Sequence, residues 1–366
     1  MIEPLLKLEL FVMTFLSFNA IHSQTNKSYA DSIRVKYSIP ELSYAVVKSD
    51  IILEIAATGF HSMNLPDRAT INDRFHIGSN TKAMTAFIIA KYVEAGKLSW
   101  DTNFFDIFPK WEKFANKEYM NITLRQLLTH RAGVQPFQGE DTDPIFPKFE
   151  GNNEKRNKEF SKFLLTLNPV TPDEGTSFVY SNAGYQLATL MLEKVSHKSW
   201  EQLVKEVYND KLDIHVEFSW PENQKRKDTW GHLFDGKTYT PVPSDSDYKI
   251  DLMQASGDIN LTLPDYIKFI QLNLKGFSGE SNYLKADTYK YIHNASIDYA
   301  IGWFNILENE RHYFTHSGTD GTYYSLVTID RERNIAYICF TNSFSDDTQM
   351  GVRMLMRKLE ESWNDK

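Results

Sequence analysis

The sequence contains a single cysteine among 366 residues, Cys339, so no disulfide can form within the chain. Cys339 lies inside an apolar run over residues 335–340, which favours a small buried hydrophobic side chain. Basic residues are outnumbered, because 40 Lys and Arg stand against 48 Asp and Glu, for a net charge of −8. No long basic stripe is present, and such a stripe is the electrostatic footprint of a nucleic-acid-binding protein. We therefore expect no nucleic-acid partner.

Two catalytic signatures are also missing. The ten histidines show no His-Glu-x-x-His spacing, so the sequence predicts no metal site. No Gly-x-Ser-x-Gly elbow occurs, and this disfavours a hydrolase built on a Ser-His-Asp triad. The hydrophobic content of 42% and the aromatic content of 14% nevertheless indicate a packed globular protein.

The N-terminus carries an apolar run, Leu10 to Phe18, that is too short to cross a bilayer comfortably. Small residues follow at Ala20 and Ser23, as they do in secretory signal peptides. We predict a signal peptide over residues 1–23 and export to the periplasm or the exterior, with an uncleaved anchor as the alternative. No cysteine lies near this segment, which excludes a lipoprotein anchor.

Strand patterns lie at both ends of the chain, and helix patterns fill its middle. The strands are predicted over residues 39–48, 51–60, 299–304, 311–315, 323–330 and 334–342, with a last helix over 348–363. The middle helices are predicted over residues 123–130, 153–167, 185–195, 200–208, 264–275 and 286–293.

This arrangement predicts an α+β fold with one antiparallel sheet, built from the N- and C-terminal strands and flanked by helices. We expect one domain over residues 29–366, with the sheet part at 29–99 and 295–366. A mostly helical lobe would be inserted over residues 100–294. A cleft between sheet and lobe is where a site is expected.

One stretch, residues 75–86, places a hydroxyl and an amine on the same helical face. A short apolar strand ends at Gly78, and a helix then runs to about Ala95. Ser79 lies in its first turn, and Lys82 follows three residues later on the same face. The positive end of the helix dipole and its free N–H groups favour a developing oxyanion there. The pattern is typical of a nucleophile beside a proton acceptor.

The same spacing has less demanding explanations. Ser79 alone fits a helix N-cap. Ser-x-x-Lys also occurs a second time, as Ser246-Asp247-Tyr248-Lys249, in a loop where no helix fixes the geometry.

A second group of candidates is Tyr180-Ser181-Asn182, at a junction between loop and helix. Tyr180 offers a proton shuttle, and Asn182 offers an amide that can orient a substrate. A tyrosine beside an ammonium can have its pKa lowered, which would make Tyr180 a usable base. The alternative is that Tyr180 is a core aromatic residue and Asn182 a helix N-cap.

A third group, His316-Ser317-Gly318, is predicted to follow the end of a strand. Gly318 would let a ligand approach the backbone closely. The Thr319 N–H could then join the Ser79 N–H in an oxyanion hole. His316 could bind a carboxylate or tune the tyrosine of the second group, and its alternative is an edge-strand histidine.

The order of these three motifs resembles the serine β-lactamase and penicillin-recognising family. The chain is most similar to the branch with class C β-lactamases, D-alanyl-D-alanine carboxypeptidases, D-aminopeptidases and related esterases. The resemblance runs from about Ile39 to the C-terminus. Besides the three motifs, it rests on Ile39-Pro40, Phe75-His76-Ile77-Gly78-Ser79, Leu127-Leu128-Thr129-His130, Gly231-His232 and Asp235-Gly236-Lys237.

The resemblance implies a role for each candidate residue and no cofactor. Ser79 would be the acylated nucleophile, and Lys82 and Tyr180 would share the general-base and general-acid work, in an order that stays open. Asn182 would hydrogen-bond the amide side chain of the substrate. Residues 129–138 are similar to the class C segment that ends in a substrate-binding glutamine, which makes Gln138 a candidate for the same contact.

The chain departs from the class C pattern in one motif, because His316-Ser317-Gly318 stands where those enzymes usually carry Lys-Thr-Gly. A histidine carries less charge at neutral pH, which weakens carboxylate binding. The resemblance therefore implies a serine hydrolase acting on an amide or ester of a small molecule or peptide. A D-amino-acid peptidase or an esterase comes ahead of a β-lactamase, and a penicillin-binding sensor or scaffold without turnover is the alternative from another class.

Overall fold

The computed structural model describes residues 24–139, 143–246, 250, 252–308 and 310–364. The predicted signal peptide, residues 1–23, lies outside the described residues, so export stays a prediction. Asp247–Lys249 of the second Ser-x-x-Lys spacing also lie outside them. None of the helices in the described ranges combines the length and the apolar character that a bilayer crossing requires.

The described residues form eleven strands and ten helices. The strands are β1 (Glu41–Lys48), β2 (Ile52–Gly59), β3 (Arg74–His76), β4 (Glu217–Phe218), β5 (Gly231–Phe234), β6 (Tyr239–Val242), β7 (Ile259–Thr262), β8 (Phe304–Glu308), β9 (Arg311–Thr319), β10 (Tyr324–Asp330) and β11 (Ile335–Thr341). The helices are α1 (24–36), α2 (Thr81–Glu94), α3 (Phe104–Ile107), α4 (Leu124–Leu128), α5 (Asn153–Leu164), α6 (Asn182–Ser196), α7 (Trp200–Val204), α8 (Leu263–Phe277), α9 (Ala286–Asn294) and α10 (Asp346–Ser362).

Six strands form one antiparallel sheet in the order β2-β1-β11-β10-β9-β8, so the two ends of the chain meet between β1 and β11. Alternate residues of β1 point to opposite faces, as the pleat requires. Leu42, Tyr44 and Val46 pack with α1 and α10, whereas Ala45 and Val47 join the larger core that contains α2 and the lobe. The predicted α+β architecture is confirmed.

Two predicted strands have the wrong bounds. Residues 299–303 form a bend, closed by a hydrogen bond from Ala300 N to Trp303 O of 2.8 Å, and the strand begins only at Phe304. β9 does not stop at Thr315 but continues to Thr319, because β10 pairs with it through Thr319. The motif His316-Ser317-Gly318 therefore lies within a strand, not after one.

The inserted lobe also contains short strands that the sequence did not predict. β7 pairs with β3, immediately before Ser79, and with β4. β5 and β6 form a hairpin, for which the sequence predicted no strand. The predicted helix over residues 200–208 is α-helical only to Val204 and continues as a π-helical segment, Lys205–Lys211.

Candidate active site

Two glycines allow the turn that carries Ser79 to press against the end of β9. Ser79 lies in a 3-10 turn, Gly78–Asn80, between β3 and α2. Gly78 has φ +49°, and a Cβ added there would lie 2.2 Å from the Thr319 amide nitrogen. A Cβ on Gly318 would lie 2.0 Å from the Ile77 carbonyl oxygen and 2.6 Å from the Ser79 amide nitrogen. Only glycine fits at either position. The two backbone segments that carry the proposed oxyanion donors, the N–H groups of Ser79 and Thr319, therefore lie in contact.

We expect Gly318→Ala to force β9 away from this turn and to slow acylation of Ser79 by about 10²-fold, the cost of misplacing one oxyanion donor. The rate of labelling by a fluorophosphonate probe measures this effect. Gly257→Ala is the matched control, because an added Cβ there would meet its nearest neighbour, Ile250, at 3.4 Å, an ordinary contact. Equal labelling rates in the two variants would contradict the packing argument, provided that both melt cooperatively.

Lys82 is fully buried and makes three hydrogen bonds. Its Nζ lies 3.0 Å from Ser79 Oγ, 2.6 Å from Asn182 Oδ1 and 2.8 Å from the carbonyl oxygen of Ser256. Burial lowers the pKa of Lys82 well below its ordinary value, and no carboxylate of the described residues offsets the loss of hydration. The structure therefore favours a neutral amine at this position.

The partners of a neutral Lys82 determine which way its lone pair points. Asn182 Nδ2 donates to the Phe137 carbonyl oxygen at 2.8 Å, so Asn182 Oδ1 faces Lys82 as an acceptor. The Ser256 carbonyl oxygen is also only an acceptor. In the neutral amine, the two N–H groups donate to these two oxygens, which leaves the lone pair available to the Ser79 hydroxyl. A neutral Lys82 can thus accept the proton that Ser79 must lose as a nucleophile.

Tyr180 lies beside the same amine, with Lys82 Nζ 4.8 Å from its ring centroid. Burial raises the pKa of Tyr180 above its ordinary value, and a hydrogen bond with Ser79 opposes this only in part. The predicted lowering of this pKa is therefore wrong, because Lys82 is itself desolvated and does not act on Tyr180 as a stable ammonium. The phenol is protonated at neutral pH, which suits a proton donor.

Asn182 and Gln138 both lie at the site, but their side chains are engaged by the protein. Asn182 Oδ1 accepts a hydrogen bond from Lys82 Nζ. The N-cap of α6 is Ser181 and not Asn182. Gln138 is exposed, and its Nε2 donates to the Tyr180 carbonyl oxygen at 3.3 Å. Contact of either residue with a substrate stays a prediction.

His316 lies beside Tyr180, with ring centroids 6.3 Å apart. It is buried, its Nε2 lies 3.1 Å from the Tyr299 hydroxyl, and its Nδ1 lies 2.7 Å from the Ser317 carbonyl oxygen. Burial lowers the pKa of His316 to about 3. A neutral ring with both nitrogens engaged does not offer the positive charge that a carboxylate needs, so the first of its two predicted roles is not supported.

Two further residues support the site. His130 accepts a hydrogen bond from Ser181 N at its Nδ1, 3.1 Å away, and its ring centroid lies 4.3 Å from that of Tyr180. Ser256 contributes only its carbonyl oxygen to Lys82. The motif Leu127-Leu128-Thr129-His130 was a sequence signal for His130, whereas a backbone carbonyl leaves no signal in the sequence.

A Ser-x-x-Lys pair at the start of a helix, beside an antiparallel sheet and facing a helical lobe, defines the fold of the serine β-lactamases and penicillin-binding proteins. The chain belongs to the Beta-lactamase family, which matches residues 19–358. It is 24% identical to the protein flp of Staphylococcus aureus over 325 residues, which cover 85% of this chain. The chain spans only 61% of the length of that relative.

Solved structures share the fold at low sequence identity. A class C β-lactamase matches with a TM-score of 0.73 and 18% identity, over 93% of this chain and 97% of the other. The D-amino acid amidase of Ochrobactrum anthropi, solved with L-phenylalanine amide, matches with a TM-score of 0.71 and 17% identity, over 93% and 99%. These similarities establish the fold but not the reaction. The reaction has to be inferred from the residues of this chain.

Proposed function

We propose that this protein is a serine hydrolase that cleaves an amide or ester through an acyl-enzyme on Ser79, with a peptidase- or esterase-like substrate preference. The observation that carries the proposal is the 3.0 Å contact between Ser79 Oγ and the Nζ of Lys82, a buried amine with a lowered pKa. This pair supplies a nucleophile and a base that are already in contact.

In acylation, Lys82 takes the Ser79 proton while Oγ bonds to the carbonyl carbon of the substrate. The backbone N–H groups of Ser79 and Thr319 donate to the oxyanion that forms. As the intermediate collapses, the protonated phenol of Tyr180 donates its proton to the leaving nitrogen or oxygen. The Lys82 ammonium then returns a proton to Tyr180, and both groups end as they began.

In deacylation, a water molecule takes the place of the leaving group. It loses a proton to the Lys82 and Tyr180 pair while its oxygen bonds to the acyl carbon. The bond to Ser79 Oγ breaks, Oγ regains a proton, and the acid product leaves.

Two features favour an extended peptide-like or neutral substrate over a β-lactam. β8 pairs with β9 only along Arg311–Thr315. In the described ranges, the edge of β9 that faces away from β10 therefore has no strand partner along His316–Thr319. An extended substrate can add to such an edge through backbone hydrogen bonds. The neutral His316 offers no charge for a carboxylate. The named activity of the amidase neighbour supports an amide substrate.

A class C-type β-lactamase is the second candidate, favoured by the likeness to the class C structure. A penicillin-binding sensor that acylates without turnover is the third, and the paired Ser79 and Lys82 count against an inert scaffold.

Intact-mass spectrometry after brief and long incubation with a fluorescent penicillin separates these candidates, with p-nitrophenyl acetate hydrolysis measured in parallel. We expect rapid ester hydrolysis without lasting penicillin adduct for an esterase. A stable adduct with little ester turnover would indicate a penicillin-binding peptidase or sensor. A transient adduct with loss of the drug would favour the β-lactamase. Absence of both adduct and turnover would contradict the proposal.

A further inference from the structure

A cavity of about 400 Å³ lies against α6, along the helical face that begins with Asn182. Gln186, Thr189 and Glu193 follow Asn182 at helical spacing, share one face of α6 and line the cavity. The other walls of the cavity are formed by the starts of α5 and α7 and by the turn at Gln254. The catalytic candidates are not among its lining residues.

One buried polar atom in this cavity lacks a hydrogen-bond partner, and the polar side chain of a neighbouring buried residue forms no hydrogen bond. Gln186 and Thr189 are each 2% exposed. Within the described part of the chain, the buried Thr189 Oγ1 has no partner. The Gln186 carboxamide forms no hydrogen bond to the described residues, but its polar atoms are not fully buried. Buried polar groups are nearly always satisfied, so each such group calls for an explanation. Because both residues line a cavity, a hydrogen-bonding ligand is the explanation that fits them together.

The charge in the cavity is of one sign. Glu193 Oε1 accepts a hydrogen bond from Trp200 N at 2.8 Å, but its carboxylate forms no ion pair within the described ranges. Burial, together with the nearby carboxylates Glu201 and Glu154, raises the pKa of Glu193 to about 7. The lining residues include all three glutamates and neither lysine nor arginine. The group that this environment lacks is a cation.

We propose that this cavity is a binding site for a small organic ammonium compound that carries hydroxyl or amide groups. Its ammonium would pair with Glu193, and its polar groups would satisfy Gln186 and Thr189. The volume falls within the range of small-molecule sites. The proposal does not depend on the hydrolase function, because Ser79 and Lys82 are not part of the site.

Calorimetric titration of the full chain carrying Ser79→Ala tests this site separately from turnover. The probes are D-glucosamine and 1,3-diamino-2-propanol, which carry ammonium and hydroxyl groups but no scissile bond, and D-glucose and glycerol are their neutral counterparts. We expect at least one ammonium probe to bind saturably and about tenfold more tightly than its neutral counterpart, the effect of one ion pair with a partly buried carboxylate.

Glu193→Gln keeps the side-chain shape and an acceptor for Trp200, and it should weaken binding of the ammonium probe about tenfold. Glu159→Gln, on α5 but not in the lining, is the matched control and should leave binding unchanged. Gln186→Met is a second test variant, which keeps the Glu193 carboxylate. It should weaken binding of the ammonium probe because the carboxamide that would hydrogen-bond the probe is lost. The proposal is overturned if neither ammonium probe binds saturably, or if Glu193→Gln binds as tightly as the Glu159→Gln control.

Discussion

Ser79→Ala should abolish covalent labelling by a fluorophosphonate probe and lower ester hydrolysis by at least about 10³-fold. The reason is that Ser79 carries the hydroxyl that lies 3.0 Å from the buried amine of Lys82, so its removal leaves no nucleophile to form an acyl-enzyme. Labelling is read by intact mass and hydrolysis by release of p-nitrophenol. Ser79 is only partly buried, and among the residues that the structure describes only Lys82 and Tyr180 hydrogen-bond to its Oγ, so the variant should fold normally.

The chain provides a matched control for this experiment. Ser246 begins the second Ser-x-x-Lys spacing but lies in the loop after Pro243. Ser246→Ala should label and hydrolyse at the unmodified rate. Labelling that survives in Ser79→Ala, or that is lost in Ser246→Ala, would refute the assignment of the nucleophile.

Features that depend on neighbours in sequence were predicted well. The spacing of three residues between Ser79 and Lys82 places both groups on one face, and their side chains meet at 3.0 Å. Thr123 was predicted to begin a short helix, and it forms a capping box with Gln126 at the start of α4. The strand predicted over residues 39–48 is present as β1, Glu41–Lys48, and each of its faces packs on one of the two cores.

Features that depend on distant partners were not predicted. β9 extends to Thr319 only because β10 pairs with it there, and no local pattern indicates that pairing. The pKa of Tyr180 was predicted from its neighbour alone, whereas burial by surrounding aromatic rings dominates it. The Ser256 carbonyl reaches Lys82 across 174 residues of sequence, and any residue type could supply it. Such contacts follow from the assembled fold.

The assignment of Lys82 as the base makes the second large prediction. Lys82→Met should lower the acylation rate of Ser79 by about 10²- to 10⁴-fold, the usual contribution of a general base. Methionine keeps the length and apolar stem of the side chain but offers no proton acceptor. Lys91→Met is the matched control on the same helix, because Lys91 is partly exposed and bonds to Glu94 and the Tyr283 carbonyl oxygen, away from the site. It should acylate at the unmodified rate.

The dependence of acylation on pH distinguishes a base from a merely structural lysine. A protonated Lys82 has no lone pair for the Ser79 proton, so the rate should rise with pH and level off above the pKa of the amine. Because burial lowers that pKa well below its ordinary value, the plateau should lie well below the pH at which a free lysine titrates, near 10.4. In Lys82→Met, the residual acylation rate should no longer show this rise to a plateau with increasing pH. A variant that keeps both the rate and the rise to a plateau would mean that Tyr180, not Lys82, accepts the proton.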